Sequence, residues 1–154
     1  MTIRTASLYP YALPINNCQL EKLLSRAPIV LNDDSIRNHI HGRRILITGA
    51  SGSIGSEVAR QIVCYKPLEL ILVDRSEATL IALERELTTH NRSLNINVQL
   101  ADVSDETRIR QIFASTMPEI VYHAAALKHV PFVEKQHYDA VKTNILGTKI
   151  STPK

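Results

Sequence analysis

A β-type run that ends in three evenly spaced glycines constrains this chain more than any other feature. Ile45-Leu46-Ile47-Thr48 leads into Gly49-Ala50-Ser51-Gly52-Ser53-Ile54-Gly55, and a helical pattern starts at once. A parallel sheet delivers its first strand to the pyrophosphate of a dinucleotide in this way. Gly49 allows a tight turn, Gly52 lets backbone N–H groups come close to phosphate oxygens, and Gly55 lets the helix pack on the strand. The helix N-terminus then offers unpaired N–H groups and partial positive charge to an anion. Gly49, Ser51, Gly52, Ser53, Ile54 and Gly55 are therefore candidate cofactor-binding residues. The spacing is Gly-x-x-Gly-x-x-Gly rather than Gly-x-Gly-x-x-Gly, and a tight strand-to-helix turn without a ligand is the competing reading. A mononucleotide phosphate loop is disfavoured, because no Gly-Lys-Ser/Thr follows. Downstream, Ile54, Val58 and Ile62 recur every four residues with Ala59 and Val63 beside them, which predicts one apolar stripe.

About twenty residues past Gly55, the buried-strand pattern Leu68-Glu69-Leu70-Ile71-Leu72-Val73 ends in Asp74. An acid at that place takes the ribose hydroxyls of an adenosine and favours NAD. Arg75 and Ser76 follow, and an arginine there can stack on adenine or hold a 2′-phosphate, which favours NADP. The choice between NAD and NADP stays open. Ser76 is also a good N-cap and Glu77 suits a first helical turn, so both roles can hold together.

The excess charge behind the net +3 sits in residues 1–44, and the rest of the chain is balanced. A nucleic-acid-binding face would need basic residues concentrated on the folded part, so no nucleic-acid partner is expected. Apolar residues make up 44% of the 154, enough for a layered core. Cys18 and Cys64 lie far apart, with no metal or redox spacing; Cys64 is expected to be a buried reduced thiol on the helix after the glycines. No segment approaches the roughly eighteen apolar residues of a membrane span and no signal-peptide pattern opens the chain, so the expected location is cytoplasmic.

The remaining pattern repeats strand and helix. Residues 1–42 read as an arm with a short helix at about 19–26, an extended piece at 28–31, and a turn and cap at 32–34. Residues 43–149 read as strand 44–48, helix 54–65, strand 68–74, helix 77–89, strand 96–100, helix 106–117, strand 120–123 and a last helix at 138–149. Ser104 or Asp105 caps the third of these helices, and Leu80, Leu83 and Leu87 share one face of the second. Helices between short apolar strands predict an α/β fold, a doubly wound parallel sheet with right-handed crossovers. The expected strand order is 3-2-1-4, with a ligand at the carboxyl ends of the strands.

Two segments fall at that edge. Asp102 can bond an adenine amino group while Val103 packs on the ring, or Asp102 simply starts the turn into the next helix. Ala124, Ala125 and Ala126 leave room for a flat ligand against the backbone. Lys128 either reaches a phosphate or the nicotinamide ribose or is a solvated loop lysine, and His129 is a loop-packing or substrate-edge residue. His123 and His129 have no third ligand at useful spacing, so no metal site is expected.

Thr48-Gly49-Ala50-Ser51-Gly52-Ser53-Ile54-Gly55-Ser56-Glu57, Asp74-Arg75-Ser76-Glu77 and His123-Ala124-Ala125-Ala126-Leu127-Lys128-His129-Val130-Pro131 together resemble the extended short-chain dehydrogenase/reductase superfamily. The likeness is greatest to the UDP-N-acetylglucosamine 4,6-dehydratases of bacterial polysaccharide biosynthesis. Asn144-Ile145-Leu146-Gly147-Thr148 fits their Asn-x-x-Gly-Thr, and the stretch 23–31 resembles the lead-in to their first strand. The resemblance covers about residues 20–149 and implies a Rossmann-like fold, Asn144 among the cofactor-binding residues, a UDP-sugar substrate and a homo-oligomer.

It also implies a chemistry. A tightly held NAD or NADP takes a hydride from sugar C4, water leaves across C5 and C6, and the hydride returns to C6. In such families a Tyr/Met-x-x-x-Lys segment supplies the base. No segment of this chain is read in that role, so no catalytic residue is assigned, and the sheet is expected to be truncated after about four strands. Residues 150–154 are expected to be an unrelated tail. The expectation is a cofactor-binding portion inactive alone; a non-catalytic NAD(P)-binding module, or a fragment of a nucleotide-sugar 4-epimerase, are the alternatives.

Overall fold

Four apolar runs of the sequence become four parallel strands, and the chain returns from each to the next through a helix. The computed structural model describes residues 33–90 and 94–152. The helix read at 19–26, the extended piece at 28–31 and Cys18 lie outside the described residues. Helix α1 (Asp33–Ile40) opens with the two acids Asp33 and Asp34 and buries Ile40. Strand β1 (Arg44–Thr48) and helix α2 (Ser53–Val63) follow, then β2 (Glu69–Asp74) and α3 (Glu77–His90). Next come β3 (Ile96–Leu100), α4 (Glu106–Thr116) and β4 (Ile120–His123). A short α5 (Val130–Val133) leads to α6 (His137–Val141), a π-helical stretch (Lys142–Gly147) and α7 (Thr148–Ile150), which run on without a break.

The sheet order is β3-β2-β1-β4, all parallel, as the strand–helix alternation predicts. Register sets Thr48 beside Val73 on one side and His123 on the other, so the carboxyl ends of the strands form one edge. The inner strands are buried on both faces. Ile45, Ile47, Leu70 and Leu72 pack with Ile62, Leu80, Leu83 and Leu87 beneath α2 and α3. Leu46, Ile71 and Val73 face the opposite way, against Ile109 and Ile112 of α4. Alternation along a strand thus builds two cores from one sheet. The fold is a Rossmann-like α/β arrangement.

Three readings change. Ile54 does not join the apolar stripe: it is 64% exposed, and α2 buries Gly55, Ala59 and Ile62 instead. In the first turn of α2 it is Gly55 that lies against Gly49 and Ala50, and Ile54 is left facing solvent. Cys64 is exposed rather than buried. It sits at the C-cap of α2 and its thiol donates to the Arg60 carbonyl. The loop read after β4 carries α5, and the last helix contains the π-helical stretch, which periodicity alone did not indicate. Asp105 is the cap of α4; its carboxylate accepts from the Arg108 N–H at 3.0 Å.

Candidate functional site

The turn after β1 is built so closely that neither Gly49 nor Gly55 has room for a Cβ. Gly49 has φ +62°, and a Cβ there would lie 2.7 Å from the backbone N and Cα of Ala125. A Cβ on Gly55 would collide with the Gly49 carbonyl oxygen and lie 2.8 Å from Ala50 Cα. The glycines therefore let α2 press on the turn after β1 and the β4 loop press on Gly49. No side chain caps α2 at Gly52, and its first turn holds no acid. The first N–H groups of that helix precede any intrahelical acceptor.

Asp74, at the end of β2, ties this loop down. Its carboxylate accepts from the Ser51 N–H at 3.0 Å and from the Ser76 N–H at 3.1 Å. Ser51 Oγ meets Thr79 Oγ1 at 2.7 Å, a second link between the glycine loop and α3. Each carboxylate oxygen of Asp74 keeps a further lone-pair direction toward the open side. After β3, Asp102 makes the turn into α4: one oxygen accepts from the Ser104 N–H at 2.8 Å and the Ser104 hydroxyl at 2.7 Å. Its other oxygen faces Arg75 at 3.8 Å. Burial acts to raise the Asp102 carboxyl, but the Ser104 hydrogen bonds and the nearby Arg75 and Lys142 outweigh it and hold it below the ordinary value. After β4, His123 stands between Thr48 and Thr148, and burial pushes its imidazole below its ordinary value.

These strand ends enclose a cavity of about 160 Å³. Gly49, Gly52, Asp74 and Arg75 line one side, and Asp102, Val103, Ala124, Ala125 and Ala126 the other. The sequence pointed to all nine. It missed Ala101, Leu127 and Thr143, which also line the cavity. Ala101 and Leu127 adjoin residues that were read, and Thr143 arrives from the last helix, where no local signal marks it. A smaller cavity of about 130 Å³ shares Arg75, Asp102, Leu127 and Thr143 and continues toward Asp139 and Lys142.

The other candidates lie elsewhere. Ser51, Ser53, Ile54 and Gly55 form the loop and first turn beside the cavity, and Ser76 opens the turn into α3. Lys128 lines a separate apolar hollow with Val130, Val133 and Val141. Asn144 engages the Leu127 backbone with both ends of its amide and does not line the cavity. No group of three or more His, Cys, Asp or Glu that could hold a metal occurs among the described residues. No helix among them is long and apolar enough to cross a membrane.

Comparison with known proteins agrees with the fold. The probable polysaccharide biosynthesis protein EpsC of Bacillus subtilis is 40% identical over 136 residues, covering 88% of this chain and 23% of its own length. An inverting UDP-N-acetylglucosamine 4,6-dehydratase of Campylobacter jejuni is 33% identical over 110 residues, covering 71% of this chain and 31% of its own. The solved structure of Pen from Bacillus thuringiensis superposes with a TM-score of 0.63 at 32% identity, over 73% of this chain and 34% of that one. The chain therefore spans about a third or less of the length of each of these three proteins. The polysaccharide biosynthesis protein family matches residues 45–152, the whole span from the first strand through the last helix, and to that family this chain belongs.

Proposed function

We propose that this chain is the nicotinamide-dinucleotide-binding portion of a nucleotide-sugar 4,6-dehydratase acting on a UDP-N-acetylglucosamine-type substrate. One observation carries the reading: the glycine turn, where a Cβ would strike the Ala125 backbone, opens beside an uncapped helix N-terminus into a cavity at the strand ends. An anionic bridge fits that corner, because bare amides and helix polarity face it with no acid in the first turn. Asp74 would receive ribose hydroxyls on its remaining lone pairs, and Arg75 would lie beside the adenosine. Asp102 would accept from the adenine amino group on the oxygen that faces Arg75, and Val103 would cover the ring. The cofactor, when bound, supplies reversible hydride transfer with the sugar. The similarity to the Campylobacter dehydratase supports the sugar class.

The role of these residues is to bind and orient. The sequence matches Tyr-x-x-x-Lys at Tyr138 and Lys142, but Tyr138 is 79% exposed on α6 and neither residue lines the strand-end cavity, so no base is assigned to them. This polypeptide by itself is therefore expected to bind cofactor without forming a 4-keto sugar. A homo-oligomer is part of the proposal: β4 pairs on one side only among the described residues, and Tyr138, Val141 and Ile145 are exposed on the last helix.

Calorimetric titration of the full chain with NAD and NADP tests the reading. Saturation at about a hundredfold over Kd should add about 2.7 kcal/mol of stability and raise the melting temperature with dose. A flat melting temperature with both nucleotides would refute dinucleotide binding. Steady release of a 4-keto product from UDP-N-acetylglucosamine would refute the non-catalytic part alone.

A further inference from the structure

The last helix grips the β4 loop at both ends. At the near end, His123 Nδ1 lies 2.7 Å from Thr48 Oγ1, and His123 Nε2 lies 3.1 Å from Thr148 Oγ1. At the far end, the Asn144 amide accepts the Leu127 N–H at 2.8 Å and donates to the Leu127 carbonyl at 2.9 Å. Ala124, Ala125 and Ala126 lie between these two fastenings, and all three line the cavity.

The proton directions follow from the geometry. The Thr148 hydroxyl donates to the Asn144 carbonyl at 2.7 Å, so its oxygen is left to accept from His123 Nε2–H. His123 Nδ1 is then the bare nitrogen, and the fully buried Thr48 hydroxyl donates to it. Asn144 and Thr148 flank Gly147, where a Cβ would approach Val103 Cγ2 to 2.8 Å. The same stretch of helix thus touches the loops after both β3 and β4. It includes part of the π-helical stretch, a distortion frequently found at functional sites.

We propose that segment 144–148 positions the nucleotide site: Asn144 and Thr148 fasten the 124–127 loop through Leu127 and His123, and hold the cavity to width without touching the ligand. This rests on the reading of the cavity as a dinucleotide site. It makes Asn144 and Thr148 positioning residues rather than cofactor contacts.

Two measurements on the full chain test it. Thr148→Val keeps shape and removes the hydroxyl, while Thr148→Ser keeps the hydroxyl. Thr148→Val should weaken NAD binding roughly fivefold, and Thr148→Ser should stay within about twofold of wild type. In Asn144→Leu, the Leu127 amide should lose hydrogen-exchange protection while the β1 amides keep theirs. Equal NAD affinity of Thr148→Val and wild type, or equal losses in Thr148→Val and Thr148→Ser, would overturn the proposal. So would unchanged protection at Leu127 in Asn144→Leu. Failure of the wild-type chain to bind NAD or NADP would instead sink the dinucleotide reading, and the exchange result would still decide the fastening.

Discussion

Gly49 shows how much one position can decide. Its φ of +62° lies where a Cβ is strained, and the Ala125 backbone fills the space a Cβ would take. The two penalties act together, because neither the turn nor the β4 loop can move without disturbing the sheet edge. Gly49→Ala should cost more than about 2 kcal/mol, from the left-handed strain and the clash combined. Thermal melting should fall by roughly 6 °C or more, and a shift under about 2 °C would contradict the close packing. His123 adds a pH effect. Burial lowers its pKa below the ordinary 6.5, so the folded chain resists a proton that the unfolded chain accepts. Above 6.5 both states are neutral and the group contributes nothing. As pH falls through 6.5 toward the folded-state value, stability drops, and below that value the loss levels off. Melting temperature followed from pH 8 to pH 5 should fall less in His123→Gln than in wild type; identical curves would contradict it.

At the scale of elements, the contacts between helices matter as much as helix formation itself. Arg60 of α2 reaches Glu86 of α3 in a two-pronged pair, Nε to Oε1 at 2.6 Å and Nη2 to Oε2 at 3.0 Å. Planar forks of this kind are stronger than single-point surface pairs, though partial exposure reduces their worth. Arg60→Lys keeps the charge and loses the fork, so it should destabilise by about 0.5–1 kcal/mol, seen as a lower urea midpoint with unchanged slope. A change in slope would point instead to altered compactness. The π-helical stretch belongs to this scale too. Its residues read as an ordinary helix in the sequence, since Ala140, Gly147 and Ser151 are buried at a spacing that local periodicity does not distinguish. Within and just after it, Asn144 and Thr148 bond to the β4 loop and Gly147 lies against Val103, contacts between distant segments that local periodicity does not record.

For the molecule as a whole, the two cores and the open edge pull in different directions. Leu46, Ile71 and their neighbours are fully buried, so the centre of the sheet is well packed. The outer strands β3 and β4 are only half-buried, and the last helix leaves Tyr138 79% and Ile145 61% exposed. That combination should drive self-association in proportion to concentration. Sedimentation velocity from low to high micromolar chain should show a growing share of larger species, with nucleotide making no difference if the contact lies away from the cavity. A single monomer boundary throughout would contradict it.

The sequence by itself determined the order of elements, the strand order and most of the cavity lining. Those features come from local rules: apolar runs become strands, glycines mark the turn, and parallel crossovers have one hand. Leu80, Leu83 and Leu87 fall on the buried face as their spacing indicates. Only the tertiary structure decided what lies beneath each side chain. Ile54 has the spacing of a core residue, yet Gly55 takes the place against the turn and Ile54 meets solvent; Cys64 caps a helix on its exposed side. Thr143, Asn144 and Thr148 acquire their roles from loops that lie far from them along the chain, and such contacts leave no periodic trace because only the folded sheet brings their partners together.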